Sequence, residues 1–73
     1  MEQLQEQFEK FRNLYDSTKV FVYDDFMVYS TPVGMSTIFA STANKLITEL
    51  GLNIRAVANE SWPFDTFIVE QVK

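Results

Sequence analysis

The chain has 73 residues, 47% of them hydrophobic, with no histidine, no cysteine and a net charge of −4. Without imidazole or thiol groups, most neutral-pH proton transfer, nucleophilic triads, zinc sites and disulfides are disfavoured. The acidic balance disfavours both a nucleic-acid partner and an anionic membrane surface. What remains is carboxylate chemistry, or binding without chemistry.

The length predicts a single compact domain over residues 1–73. A chain this short hides only about 60% of the surface that its unfolded form exposes. Seven Phe, three Tyr and one Trp are many rings for so small a monomer to cover, so the composition favours a homo-oligomer or a protein partner. A polar, acidic N-terminus and the absence of an apolar run of ~20 residues favour a cytoplasmic protein without a membrane span.

Residues 2–16 are predicted to form an amphipathic helix, because their apolar side chains recur at helical spacing. Acidic residues come early in this segment and basic residues late, which complements the helix dipole. The expected apolar stripe consists of Leu4, Phe8, Phe11 and Tyr15, widened by Leu14.

Residues 19–23 and 26–30 are predicted to form two strands, because they are rich in β-branched and aromatic side chains. Asp24 and Asp25 separate them, and a two-residue hairpin turn is the simplest interpretation. Aspartate is a weaker turn former than Asn-Gly or Asp-Gly, since positive φ costs more without glycine. A bulge or one bent strand is the alternative.

A second helix is predicted to start at Thr31-Pro32, with threonine as N-cap and proline in the first turn. Ser36 is a rival cap if Gly34 delays the start. Gly51 then lies where a left-handed residue ends a helix. The expected apolar positions are Met35, Ile38, Phe39, Thr42, Ala43, Leu46, Ile47 and Leu50.

The C-terminal part is predicted to form a strand over 52–58, a loop over 59–63 and a strand over 64–72. The element order is therefore α-β-β-α-β-β. It predicts an α+β fold, a four-stranded, mostly antiparallel sheet with both helices packed on one face.

Both faces of the predicted hairpin are apolar. If Tyr23 opposes Phe26, one face also carries Phe21 and Val28, and the other carries Val20, Val22, Met27 and Tyr29. Helices on one side can bury only one of these faces. Unless the sheet curls to hide the other face, a second subunit or a partner must cover it.

The candidate partner-binding residues include an aromatic loop besides the hairpin. In Trp62-Pro63-Phe64, a tryptophan beside a rigid proline is typical of a binding hot spot, although a ring folded back over the core is the competing interpretation. The full candidate set is Phe21, Tyr23, Phe26, Val28, Trp62 and Phe64.

The sequence gives little support to a metal-binding or catalytic site. Asp24 and Asp25 are better explained as turn residues than as ligands of a divalent cation, since neighbours in a strand point to opposite faces. The remaining carboxylates are scattered, whereas glycoside hydrolysis needs two of them facing each other across a cleft. The acidic N-terminal third is better explained as a solvated helix face than as a phosphate mimic. The sequence predicts no catalytic residue, no cofactor and no metal.

The sequence thus predicts a small acidic, non-enzymatic protein-binding module that self-associates through an aromatic sheet face. Regulator, inhibitor or adaptor are the natural roles. Small inhibitors encoded by phages or mobile elements are likewise short, acidic and without a recognisable site. The alternative function is binding of single-stranded nucleic acid by stacking bases on the exposed rings.

Overall fold

The computed structural model describes residues 3–15, 19–61 and 64–72. It contains two helices and a four-stranded sheet in the order α-β-β-α-β-β, which confirms the predicted α+β class. The elements are α1 (Leu4–Leu14), β1 (Val20–Val22), β2 (Phe26–Ser30), α2 (Ser36–Leu50), β3 (Ile54–Ser61) and β4 (Phe64–Gln71).

The sheet has the strand order β1-β2-β4-β3, and each neighbouring pair is antiparallel. It consists of two hairpins, β1–β2 and β3–β4, joined through the central strands β2 and β4. Helix α2 connects β2 to β3, which run parallel with β4 between them. This arrangement leaves β1 and β3 as the two edge strands.

Helix α1 buries Phe8 and Phe11 against the sheet, as its apolar spacing predicts. Leu14 is exposed, so its predicted place in the stripe is wrong. Tyr15 occupies the core side, stacking on Phe11 with ring centroids 5.1 Å apart, and Leu14 lies about 100° of helical rotation away from it. Gln7 is buried, and its Oε1 accepts a hydrogen bond of 2.6 Å from the N–H of Asn53.

Helix α2 begins at Ser36, so the predicted start at Thr31-Pro32 is wrong. A turn occupies this segment, in which the N–H of Met35 donates to the Pro32 carbonyl at 3.1 Å. The buried carboxylate of Asp65 holds the turn by accepting a hydrogen bond from the N–H of Gly34, whose φ is 79°. Ser36 is buried and helical, and Met35 takes the N-cap position.

The buried side of α2 is formed by small residues together with Ile47. Ala40 and Ala43 are buried, whereas Ile38, predicted to face the core, is 59% exposed. Small side chains let the helix approach β3 closely, which sets a rotation that turns Ile38 outward. The helix ends as predicted at Gly51, whose φ of 68° is left-handed.

Strand β3 continues to Ser61, so the loop predicted over 59–63 is too long. Three further residues of β3 pair with β4, because the register places Ser61 opposite Phe64. Trp62 and Pro63, the remainder of that predicted loop, lie outside the described residues.

The core lies between the helices and one face of the sheet, and aromatic rings fill its centre. Tyr29 and Phe67 stack in parallel with centroids 4.8 Å apart. Phe11 meets Tyr29 edge to face at 5.7 Å. The largest of the fully buried side chains are Tyr29, Phe8, Phe11, Phe67, Met27, Val69 and Ser36. None of the helices formed by residues 3–15, 19–61 and 64–72 is long and apolar enough to cross a membrane.

Replacing Tyr29 with phenylalanine is expected to raise the free energy of unfolding by about 1 kcal/mol at pH 7, since the buried Tyr29 hydroxyl bonds to no described residue. Burial also raises the pKa of Tyr29, partly offset by the charge of Arg12. Above pH ~10 the unfolded chain therefore loses a proton that the native Tyr29 keeps, and wild-type stability falls as pH rises.

Urea unfolding of both proteins at pH 8 and pH 11 measures this effect. The advantage of Tyr29→Phe is expected to widen by about 1 kcal/mol between the two pH values. A difference between the proteins that stays constant with pH would contradict a neutral, buried tyrosine.

Candidate functional site

The helices cover the face of the sheet that carries Met27 and Tyr29, which are fully buried. The opposite face, here called the open face, carries Phe26 and Val28, because side chains alternate along a strand. In β1, Phe21 lies opposite Val28 and therefore belongs to the open face as well.

Tyr23 joins the same face at the end of the hairpin. Its backbone N–H donates to the carbonyl of Phe26 at 2.9 Å, and the two rings stack with centroids 4.7 Å apart. The sequence-based condition that Tyr23 opposes Phe26 is therefore met.

The turn between these rings consists of Asp24 and Asp25. No non-glycine residue among those described has positive φ, so this is not one of the primed turns that tight hairpins favour. Helix α1 braces it, since the side-chain amide of Gln5 donates to the Asp24 carbonyl at 2.8 Å. The two aspartates therefore serve as turn residues here.

An apolar row crosses the whole open face. The register places Phe21 of β1 opposite Val28 of β2, Val28 opposite Ile68 of β4, and Ile68 opposite Val57 of β3. The stacked rings of Tyr23 and Phe26 lie beside this row. We call the combined surface the apolar band; its members are Phe21, Tyr23, Phe26, Val28, Val57 and Ile68.

Several members of the apolar band are strongly exposed. Phe21 is 57% exposed, Tyr23 51% and Val57 41%. Val28 and Ile68, on the central strands, are half-buried between their neighbours. The predicted candidate Val28 therefore forms the floor of the band, and the rings toward the hairpin form its most accessible part.

Polar residues separate Phe64 from the apolar band. Ser30 lies opposite Thr66, which lies opposite Asn59, and the carbonyl of Lys19 accepts from the N–H of Ser30 at 3.2 Å. Phe64, 78% exposed, lies beyond this polar row. The predicted partner-binding residues thus form one group in the hairpin and a separate position at Phe64. Trp62, also predicted, lies outside the described residues.

A recess of about 500 Å³ lies at the end of the sheet where the hairpin turn meets the last residues of β4. Its lining includes the apolar residues Phe26 and Ile68 and the acidic residues Asp25 and Glu70. Glu70 also pairs with Arg55 at 3.0 Å. An aliphatic side chain that ends in a positive charge would match both the walls and the charge of this recess. Leu4 and Gln71 complete its lining.

Within residues 3–15, 19–61 and 64–72, no three histidine, cysteine or acidic side chains are close enough together to hold a metal ion. Comparison of the chain with protein-family models, curated proteins and solved structures gives no match. The geometry of the open face is therefore the basis for any functional assignment.

Sequence reasoning missed Val57 and Ile68 as members of the site. Alternation along a strand puts Val57 on the same side as Arg55, and Ile68 on the same side as Phe64, as the structure has them. That signal does not give the order of the strands, and only the β2-β4-β3 order joins these two residues to the hairpin rings.

Proposed function

We propose that this protein is a non-catalytic protein-binding module that docks a partner on the apolar band and also self-associates. The supporting observation is that Phe21 and Tyr23 stay more than half exposed while the opposite face is closed by fully buried rings. The core does not need these side chains, and an exposed contiguous apolar surface is typical of an interface.

The partner best suited to this surface presents apolar side chains together with a basic one. The apolar chains would cover the band, and the basic chain would enter the recess beside Asp25, since Glu70 on its other side is already paired with Arg55. The net charge of −4 would further attract a basic protein. Such binding suits a regulator, inhibitor or adaptor acting in the cytoplasm.

The double substitution Tyr23→Ser and Phe26→Ser is expected to weaken partner binding at least tenfold without unfolding the domain, because it removes two stacked, exposed rings. Ile38→Ser is the control, since Ile38 is an apolar side chain at least as exposed as either ring but lies on α2. Proteins captured from extracts of the native cells identify the partner, and calorimetry with the purified partner gives the Kd for wild type and both variants.

Two results would overturn the proposal. One is a partner that binds the double variant as tightly as wild type. The other is a loss of binding that Ile38→Ser reproduces to the same degree, because the effect would then not belong to the apolar band.

Binding of single-stranded nucleic acid is the second candidate, and the exposed rings of Phe21, Tyr23 and Phe26 on a four-stranded sheet favour it. The charges beside the rings argue against it: the hairpin turn carries Asp24 and Asp25, and Arg55 pairs with Glu70. The proposal therefore expects no binding to single-stranded oligonucleotides even at low salt. Binding that weakens steeply with salt would instead support the nucleic-acid function.

A further inference from the structure

The two edge strands, β1 and β3, differ in the hydrogen bonds that the rest of the fold makes to them. At β3, the N–H of Ala56 donates to the side-chain oxygen of Asn44 at 2.8 Å, and the Ala56 carbonyl accepts from the Asn44 amide at 2.9 Å. The hydroxyl of Thr37, also on α2, donates to the carboxylate of Glu60 on the same strand. Helix α2 therefore satisfies the outward backbone groups of Ala56, in the middle of the β3 edge, and bonds the Glu60 side chain farther along it.

The β1 edge has no such cover within the part of the chain that the structure describes. Lys19 and Tyr23 point their bonded backbone groups toward β2, at Ser30 and Phe26. Because this direction alternates along an antiparallel strand, Val20 and Val22 point their N–H and C=O groups outward. No described residue bonds these outward groups, and the Val22 side chain is 46% exposed.

An open edge of this kind is a template for another strand. The charges along this edge are self-complementary in one orientation. Lys19 stands at one end of β1, and Asp24 and Asp25 stand at the other. Antiparallel pairing with an identical strand places each lysine beside the acidic turn of the other copy, whereas parallel pairing places lysine beside lysine.

We propose that a second copy of this chain pairs with β1 along this edge, antiparallel and about a two-fold axis. Val20 of each copy then pairs with Val22 of the other, which forms about four backbone hydrogen bonds. The two Phe21 residues face each other across the axis on the open face. The two sheets join into one continuous sheet.

Both edges of the joined sheet are β3 strands, on which the outward backbone groups of Ala56 are already bonded to Asn44, so we expect the assembly to close at two copies. The apolar bands of the two copies also become one surface, since Phe21 and Tyr23 belong both to the band and to the edge region. The inference rests on the self-association half of the proposed function and specifies its surface. It is independent of partner docking on the apolar band, because the contacts that form it are backbone groups of the edge and not ring faces.

The test compares two substitutions of Val22 by sedimentation equilibrium. Val22→Pro removes an outward N–H, which an edge strand tolerates within its own fold. It is expected to raise the dimer Kd by about thirtyfold, which corresponds to the loss of two net backbone hydrogen bonds. Val22→Thr keeps the N–H and the β-branched shape and is expected to change the Kd less than threefold. Far-ultraviolet circular dichroism confirms that both variants are folded.

A single introduced cysteine reports the geometry, since the natural chain has none. Oxidised Phe21→Cys is expected to form a disulfide-linked dimer, because directly opposed residues in an antiparallel pair lie within disulfide range. Phe64→Cys, on the open face of β4, is expected to remain largely monomeric when both variants are run on a non-reducing denaturing gel.

Three results would overturn the inference. Wild type could remain monomeric at the highest concentration that sedimentation reaches. Val22→Pro could dimerise as tightly as Val22→Thr. Phe64→Cys could cross-link while Phe21→Cys does not, which would indicate association of the open faces instead of the edges. A failure of the Tyr23→Ser and Phe26→Ser variant to weaken partner binding would, in contrast, overturn only the docking of a partner on the apolar band.

Discussion

Phe67→Ala is expected to lower the free energy of unfolding by about 3–5 kcal/mol, while Phe64→Ala changes it by less than about 0.5 kcal/mol. The two residues belong to the same strand and lose the same atoms. Phe67 is 1% exposed and stacks on Tyr29, whereas Phe64 is 78% exposed on the open face. Truncating Phe67 leaves a cavity in the core, which the packed rings around it cannot move to fill. Truncating Phe64 removes a ring that already contacts solvent, so little packing is lost.

Equilibrium urea unfolding, followed by the circular dichroism of the helices, measures both values. The pair tests the assignment of the two sheet faces, on which the candidate site depends. Equal costs for the two substitutions would mean that Phe64 is a core residue in solution, and the open face would then be less open than its geometry indicates.

The faces of the strands could be predicted because the signal for them is local. Side chains in a strand alternate with period two, so the grouping of Phe67 with Val69, and of Phe64 with Thr66 and Ile68, follows from spacing alone. The same holds for the hairpin, where a two-residue turn fixes the register and with it the neighbours of Phe21. No knowledge of the rest of the chain is needed for either.

Local signals favoured a start of α2 at Thr31-Pro32 and gave the later start near Ser36 only as the rival, because the cause of the later start is distant. Thr31-Pro32 has a good local signal for a helix start, yet the segment forms a turn. The carboxylate that holds this turn belongs to Asp65, 31 residues from Gly34 along the chain. A buried charged acceptor for a backbone N–H outweighs a local capping preference.

Apolar spacing also failed to predict, at one position in each helix, which side chains face the core. Leu14 and Ile38 each fit an apolar periodicity but face solvent. In α2, the choice between a stripe through Ile38 and one through Ala40 and Ala43 depends on how closely the sheet approaches. Ala56 on β3 permits a close approach, and small residues on the helix complete it.

Asn44→Ala is expected to lower the free energy of unfolding by about 2–3 kcal/mol, because it removes both hydrogen bonds to Ala56 and leaves a backbone donor and acceptor without them. Ser41→Ala is the matched control: Ser41 lies on the same helix and is exposed, so its loss should stay within about 0.5 kcal/mol. Urea unfolding of the two variants measures the difference.

The same substitution also tests why the assembly stops at two copies. With Asn44 in place, the outward backbone groups of Ala56 on β3 are bonded, whereas those of Val20 and Val22 on β1 are open to another strand. In Asn44→Ala the backbone groups of Ala56 become available, so both edges of the sheet can pair and association is no longer limited by closure. Light scattering of the folded variant should then show species larger than a dimer, increasing with concentration. A folded Asn44→Ala protein that remains strictly dimeric would mean that α2 blocks the edge by its bulk, without help from the Asn44 amide.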